Sequence, residues 1–222
     1  MLQAIIFDFD GVIVETEPLH CRAFLEVLPA FELPLTRETY FDRLVGLADH
    51  EILRRLLAES RRSLSSQDTE RLLRMKDAAY ARLIAGGIEP IPGAASLIRR
   101  LADRWPLAVC SGSKRNEIER ILEQAGLLPF FPIIVAAEDV RESKPDPAGY
   151  LLALRRLRER SPVLTAGGCA VIEDSAAGIA AARAAGMRVV ALRQDAQNTA
   201  DADKVVDRLD ALTVADLEAL CA

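Results

Sequence analysis

A chain of 222 residues, half of them hydrophobic and 27% charged, has an ordinary globular composition and is not a disordered one. Its formal net charge of −5 removes the electrostatic case for nucleic acid or an anionic membrane as partner, so an anionic substrate must be held by local groups or a metal. Cys21, Cys110, Cys169 and Cys221 lie far apart, without CxxC or zinc-ligand spacing, and read as reduced core or surface thiols of a cytoplasmic protein.

The opening "MLQAIIFD" meets an aspartate at once and lacks the basic region of a signal peptide. Its apolar part, "QAIIFD", has strand length and runs into Asp8 and Asp10, with Gly11 where the chain must turn tightly and φ > 0 is expected. From residue 15 to 87 no strand pattern follows. Helical patterns take its place: "PLHCRAFLEVLPAF", "RETYFDRLVGL", "DHEILRRLLAES" and "DTERLLRMKDAAYARLIAGG". An all-helical insert of this kind, returning through "GGIEPIPG", reads as a small second domain, and its two chain crossings can form a hinge. The alternative is that these helices simply cover one face of a sheet.

Strand and helix then alternate. "PLAVCSGS" leads into "KRNEIERILEQAGL", "FPIIVAAEDV" into "SKPDPAGYLLALRRLRER", and "GCAVIEDS" into "AAGIAAARAAGM", with "RVVAL" last. Gly126 and Gly186 close helices. "AGLLPFFPIIVAA" is too short and too broken by prolines to span a bilayer. Alternation of this type predicts an α/β fold, a parallel sheet with helices on both faces, formed by residues 1–14 and 88–222 around the 15–87 insert.

In open α/β sheets ligands bind beyond the carboxyl ends of the strands. Four such ends here carry distinctive polar residues: Asp8 and Asp10, Ser111, Lys144, and Glu173 with Asp174. Each alone has a structural explanation, as a helix cap, a surface lysine or a solvated loop; together on converging strand ends they predict a site. Asp8, Asp10, Glu173 and Asp174 are hard oxygen ligands suited to Mg²⁺. Ser111 offers a hydroxyl and backbone N–H groups at a helix start, and Lys144 a compact cation. That set suits phosphoryl transfer. "DFDG" is not an EF-hand, because the later ligands and closing glutamate are missing.

With "DFDGV", "CSGS", "SKPDP" and "IEDS" in order over nearly its whole length, the sequence resembles the haloacid dehalogenase superfamily of phosphotransferases. The helical insert resembles the cap of the branch holding β-phosphoglucomutase and small sugar-phosphate phosphatases. The resemblance implies a Rossmann-like core and Mg²⁺ on Asp8, the Asp10 backbone carbonyl and Asp174, with Glu173 beside them. It implies Asp8 as the nucleophile that becomes an aspartyl-phosphate and Asp10 as general acid and base. Ser111, Gly112 and Lys144 would hold the phosphoryl group.

His20 and Lys76 would be cap residues near the substrate, although Lys76 also fits a solvated helix face. Ser113, Lys114 and Asn116 would contact the non-reacting part of the substrate, and Thr16 would be the hinge. The function so implied is a Mg²⁺-dependent, monomeric, cytoplasmic phosphatase of small phosphorylated metabolites, sugar phosphates first. A β-phosphoglucomutase is the nearest alternative. In the mutase pattern a glycine-led cap loop carries an arginine followed closely by a serine; the stretch here is "VGLADHEI", with Asp49 at the arginine position. A phospho-accepting switch is a third reading, and a metal-free dehalogenase is disfavoured by Asp10.

Overall fold

The computed structural model describes residues 1–45, 47–193 and 199–221; Gly46, which leads the "VGLADHEI" loop, lies outside the described residues. The chain divides into two compact units, one of Met1–Glu15 with Ile88–Ala222 and one of Thr16–Gly87.

The first unit holds a parallel sheet of six strands, β1 (Ala4–Phe7), β2 (Leu107–Cys110), β3 (Ile133–Val135), β4 (Cys169–Glu173), β5 (Arg188–Leu192) and β6 (Lys204–Val206), in the order β3-β2-β1-β4-β5-β6. Ile6 pairs with Ala108 on one side and with Val171 on the other, so β1 sits centrally between strands reached by crossovers in opposite directions. Such a reversal opens a crevice at the carboxyl ends. β1, β2, β3 and β4 are buried along their whole length, as a sheet covered on both faces requires. One face packs Ile6, Cys110, Val171 and Val189 with residues of α7 (Ala148–Arg160) and α8 (Ala176–Ala184). The other presents Ile5, Phe7, Val109 and Ile172, equally buried. The remaining helices of this unit are α5 (Ala94–Ala102), α6 (Arg115–Gln124) and α9 (Val214–Leu220).

"RVVAL" is β5 and not the last strand: β6 follows it, three residues long and too short to show a period. The cysteines are all free and all buried, none at the surface. Among the described residues no helix is long and apolar enough to cross a membrane.

The second unit is helical: α1 (Glu17–Val27), α2 (Arg37–Arg43), α3 (Asp49–Ser60) and α4 (Ser66–Leu83). Thr36 and Ser65 accept hydrogen bonds from the backbone N–H groups of Thr39 and Asp68 and so fix the starts of α2 and α4. α1 packs along α4. Phe24, Tyr40, Leu53, Leu72 and Tyr80 are buried here, and the Tyr40 hydroxyl donates to Glu17 at 2.8 Å.

Candidate active site

β1, β2 and β4 place Asp8, Ser111 and Asp174 one step beyond their last paired residues, Glu173 is the last paired residue of β4, and Lys144 comes from the loop that follows β3. The Asp8 N–H still donates to the Ile172 carbonyl at 2.9 Å, so its position is set by the β1–β4 ladder. Gly11 then takes φ 78° and donates to the Val14 carbonyl at 2.7 Å. The expected tight turn is there, and a side chain would strain it. Asp8 is buried, whereas Asp10 is partly exposed.

Beyond β2, the Ser111 N–H donates to the Val135 carbonyl at 2.9 Å and its hydroxyl accepts from the Ser113 N–H at 3.0 Å. α6 begins only at Arg115, with Lys114 at its N-cap. Ser111 is therefore in the loop ahead of the helix and not on its first turn, because the Ser113 carbonyl is held by the Ala137 N–H at 3.0 Å instead of entering the helix. Gly112 and Asn116 are exposed, and Ser113 and Lys114 partly so.

Lys144 joins the strand ends. Its Nζ donates to Asp8 Oδ1 at 2.5 Å, Glu173 Oε1 at 2.7 Å and the Cys110 carbonyl at 3.2 Å. Glu173, wholly buried, has both oxygens occupied. Oε1 accepts from Lys144 and from the Tyr150 hydroxyl at 3.1 Å. Oε2 accepts from the Asp174 and Ser175 N–H groups, each at 2.8 Å, and from the Ser175 hydroxyl at 3.0 Å. A Cβ on Gly178 would lie 1.5 Å from Glu173 Oε1, so this helix glycine makes room for the carboxylate. Tyr150 and Ser175 were not singled out from the sequence; a glycine inside the α8 pattern was a signal of close packing.

Carboxylate oxygens of Asp8, Glu173 and Asp174 lie within 4.8 Å of one another. Asp10 is not part of that group, and the resemblance offers its backbone carbonyl instead. Burial raises Asp8 to about 7 against the pull of Lys144. Burial and then the charges of Asp8, Glu173 and Asp10 raise Asp174 to about 8. Burial disfavours ionised Glu173, but Lys144 and the Ser175 donors outweigh it and hold this carboxyl below its usual range. Lys144 is raised well above its usual value despite burial, chiefly by Asp8. With all three carboxylates ionised, one ammonium leaves two negative charges, the charge a divalent cation cancels. The donors are all oxygen. The residues fit Mg²⁺.

In the helical unit a second polar cluster forms around Lys76, which is 1% exposed and not on a solvated face. Its Nζ donates to Asp49 Oδ1 and Oδ2 at 2.8 and 2.7 Å and lies 2.9 Å from His20 Nδ1. The rings of Phe24 and Tyr80 lie 5.2 and 5.4 Å from it, and His20 stacks on Tyr80 with centroids 4.0 Å apart. Bidentate pairing and two aromatic faces make burial of this ammonium tolerable.

The family model described as "Hydrolase: haloacid dehalogenase-like hydrolase" matches residues 2–186. The chain is 33% identical over 189 residues to the fructose-1-phosphate phosphatase YqaB of Escherichia coli, covering 85% of this chain and 95% of that one. It is 31% identical over 220 residues to the beta-phosphoglucomutase of Bacillus subtilis, covering 96% and 92%. The crystal structure of CbbY from Rhodobacter sphaeroides in complex with phosphate superimposes with a TM-score of 0.87 at 30% identity, covering 98% of this chain and 100% of that one.

Proposed function

Because the chain belongs to the haloacid dehalogenase-like hydrolases, and is thereby an enzyme of phosphoric monoesters, we propose that it is a Mg²⁺-dependent phosphatase of small phosphorylated sugars. The observation that carries this reading is the meeting of Asp8, Glu173, Asp174 and Lys144 at adjacent strand ends. The fructose-1-phosphate phosphatase among its relatives supports the sugar phosphate.

Asp8 attacks phosphorus and carries the phosphoryl group as an aspartyl-phosphate. Asp10 gives a proton to the leaving alkoxide, then takes one from the incoming water. Lys144 and the Ser111–Gly112 loop hold the phosphoryl oxygens. Glu173, saturated by its own donors, keeps Lys144 charged and aimed. Mg²⁺ held by Asp8, Asp174 and the Asp10 carbonyl would supply charge neutralisation at the phosphoryl group. His20, Lys76, Ser113, Lys114 and Asn116 choose the substrate.

The test is phosphate release across phosphorylated sugars and small acids, with Mg²⁺ and with chelator. Turnover of sugar phosphates that disappears in chelator and returns with Mg²⁺ or Mn²⁺ is expected; full activity in chelator discards the metal. A mutase reading draws on the Bacillus subtilis relative. Against it stands Asp49, at the position where the mutase pattern carries an arginine, its carboxylate paired with Lys76.

A further inference from the structure

A cavity of about 460 Å³ opens at the β3 edge of the sheet, and four of its lining residues are arginines: Arg115 from the start of α6 and Arg155, Arg156 and Arg160 from α7. Pro132, Ile133 and Ile134 also line it, and its one acidic lining residue is Glu159. None of these residues belongs to the phosphoryl site.

Two of the arginines are anchored. Arg115 Nη2 donates to Asp139 Oδ2 at 2.6 Å and to the Ile134 carbonyl at 2.8 Å. Arg156 donates to the same carbonyl and to Asp139 Oδ1, both at 2.8 Å. These bonds, Arg156 foremost, hold Asp139 at about 2, well ionised. Arg155 and Arg160 are exposed and have no hydrogen bond or ion pair to any of the described residues. Arg115 also pairs with Glu119 at 3.4 Å, so the four guanidiniums meet Glu119, Asp139 and Glu159, and the charge left uncommitted is that of Arg155 and Arg160. A concentrated positive field lined by planar forks suits phosphate or carboxylate oxygens. The volume is that of a small-molecule site, about 300–1,000 Å³, and exceeds what an inorganic ion fills, which calls for an organic body on the phosphate.

We propose that this cavity is an effector site for a small organic phosphate. The occupant's oxygens pair with Arg155 and Arg160 and compete with Asp139 for Arg115 and Arg156. That competition reaches the catalytic loop through a short set of bonds. Asp139 Oδ2 accepts from the Ala136 N–H at 2.8 Å, the Ala137 N–H donates to the Ser113 carbonyl at 3.0 Å, and the Arg115 N–H donates to Glu138 at 3.2 Å. Ser113 in turn donates to the Ser111 hydroxyl. Loosening Asp139 therefore shifts the Ser111 loop, and substrate binding shifts effector affinity by the same factor.

The experiment titrates adenosine 5′-monophosphate and inorganic phosphate calorimetrically into the wild type and into Arg155→Ala/Arg160→Ala, in chelator, with the nucleotide checked intact afterwards. Both substitutions are at exposed positions and leave basal turnover unchanged. The nucleotide should bind the wild type at least tenfold more tightly than the double variant, and inorganic phosphate should bind both alike. With Mg²⁺, the nucleotide should change kcat for p-nitrophenyl phosphate at least twofold in the wild type and leave it unchanged in the double variant. Equal nucleotide affinity in the two proteins overturns the site, as does an effect confined to KM that survives both substitutions. Arginine-dependent binding of inorganic phosphate as tight as that of the nucleotide overturns the organic ligand.

Discussion

Glu173 shows how fully one residue of this centre is determined. Five donors fill its two oxygens, and Gly178 leaves its carboxylate space that no side chain can share. Gly178→Ala should therefore destabilise the protein by ~3 kcal/mol or more, above the usual overpacking range because the clash is with a buried, fully bonded group. Chemical denaturation measures this; an unchanged midpoint would mean that Glu173 has another place to go. Asp8→Asn should abolish turnover with the fold intact, since an amide neither attacks phosphorus nor binds Mg²⁺ well. Asp10→Asn should still accept a phosphoryl group from an activated donor but release it ~10²–10⁴-fold more slowly, leaving phosphate on Asp8 for mass spectrometry to find. Asp8 and Asp174, both raised by burial, share the pH dependence, and Asp174 is the one further raised. Its raised value, about 8 against 3.8, means the folded state favours the proton, so in chelator its contribution is fully present below pH 4 and is lost as pH rises through 8. Glu173 works in the opposite sense, losing stability as pH falls. Replacing Asp174 by Asn should therefore reduce the loss of stability between pH 4 and 8, so the stability difference between wild type and Asp174→Asn falls across that range. Mg²⁺ should flatten it, and a flat difference in chelator would contradict the crowding of the carboxylates.

At the scale of elements, the features most legible in the sequence were those with a period or a punctuating residue. "DHEILRRLLAES" coincides with α3 and "RVVAL" with β5. The polar ends of β1, β2 and β4 pointed to the centre because ladder pairing carries a strand's direction past its last residue, as with Asp8 on Ile172, whereas Lys144, well beyond β3, is brought in by its bonds to Asp8 and Glu173. What escaped was set by contacts distant in sequence. α5, β6 and α9 were not singled out, and β6 is placed by pairing Val205 with Ala191 rather than by its own three residues. Tyr150 lies in an ordinary apolar helix pattern, and nothing local reveals that its hydroxyl reaches Glu173. Lys76 appeared compatible with a solvated face because charge alone does not show burial; Asp49, 27 residues away, supplies the partner.

At the scale of the whole molecule, the proposal that water accepts the phosphoryl group rests on charge. A bisphosphate needs a second cation, and the Lys76 charge is committed to Asp49 and His20. β-Glucose 1-phosphate primed with a bisphosphate should thus yield little glucose 6-phosphate in a coupled assay; rapid, bisphosphate-dependent formation would make the enzyme a mutase. The burial of all four cysteines also has a practical consequence. Cys21 belongs to the helical unit, and Cys110, Cys169 and Cys221 to the other. Burial raises the Cys110 thiol to about 12 and the Cys169 thiol to about 11, so neither reacts with an alkylating reagent until its surroundings open. The native chain carries an internal clock for each unit. Timed alkylation read by intact mass would report opening of the helical unit as one added label and opening of the sheet unit as three, without an engineered probe.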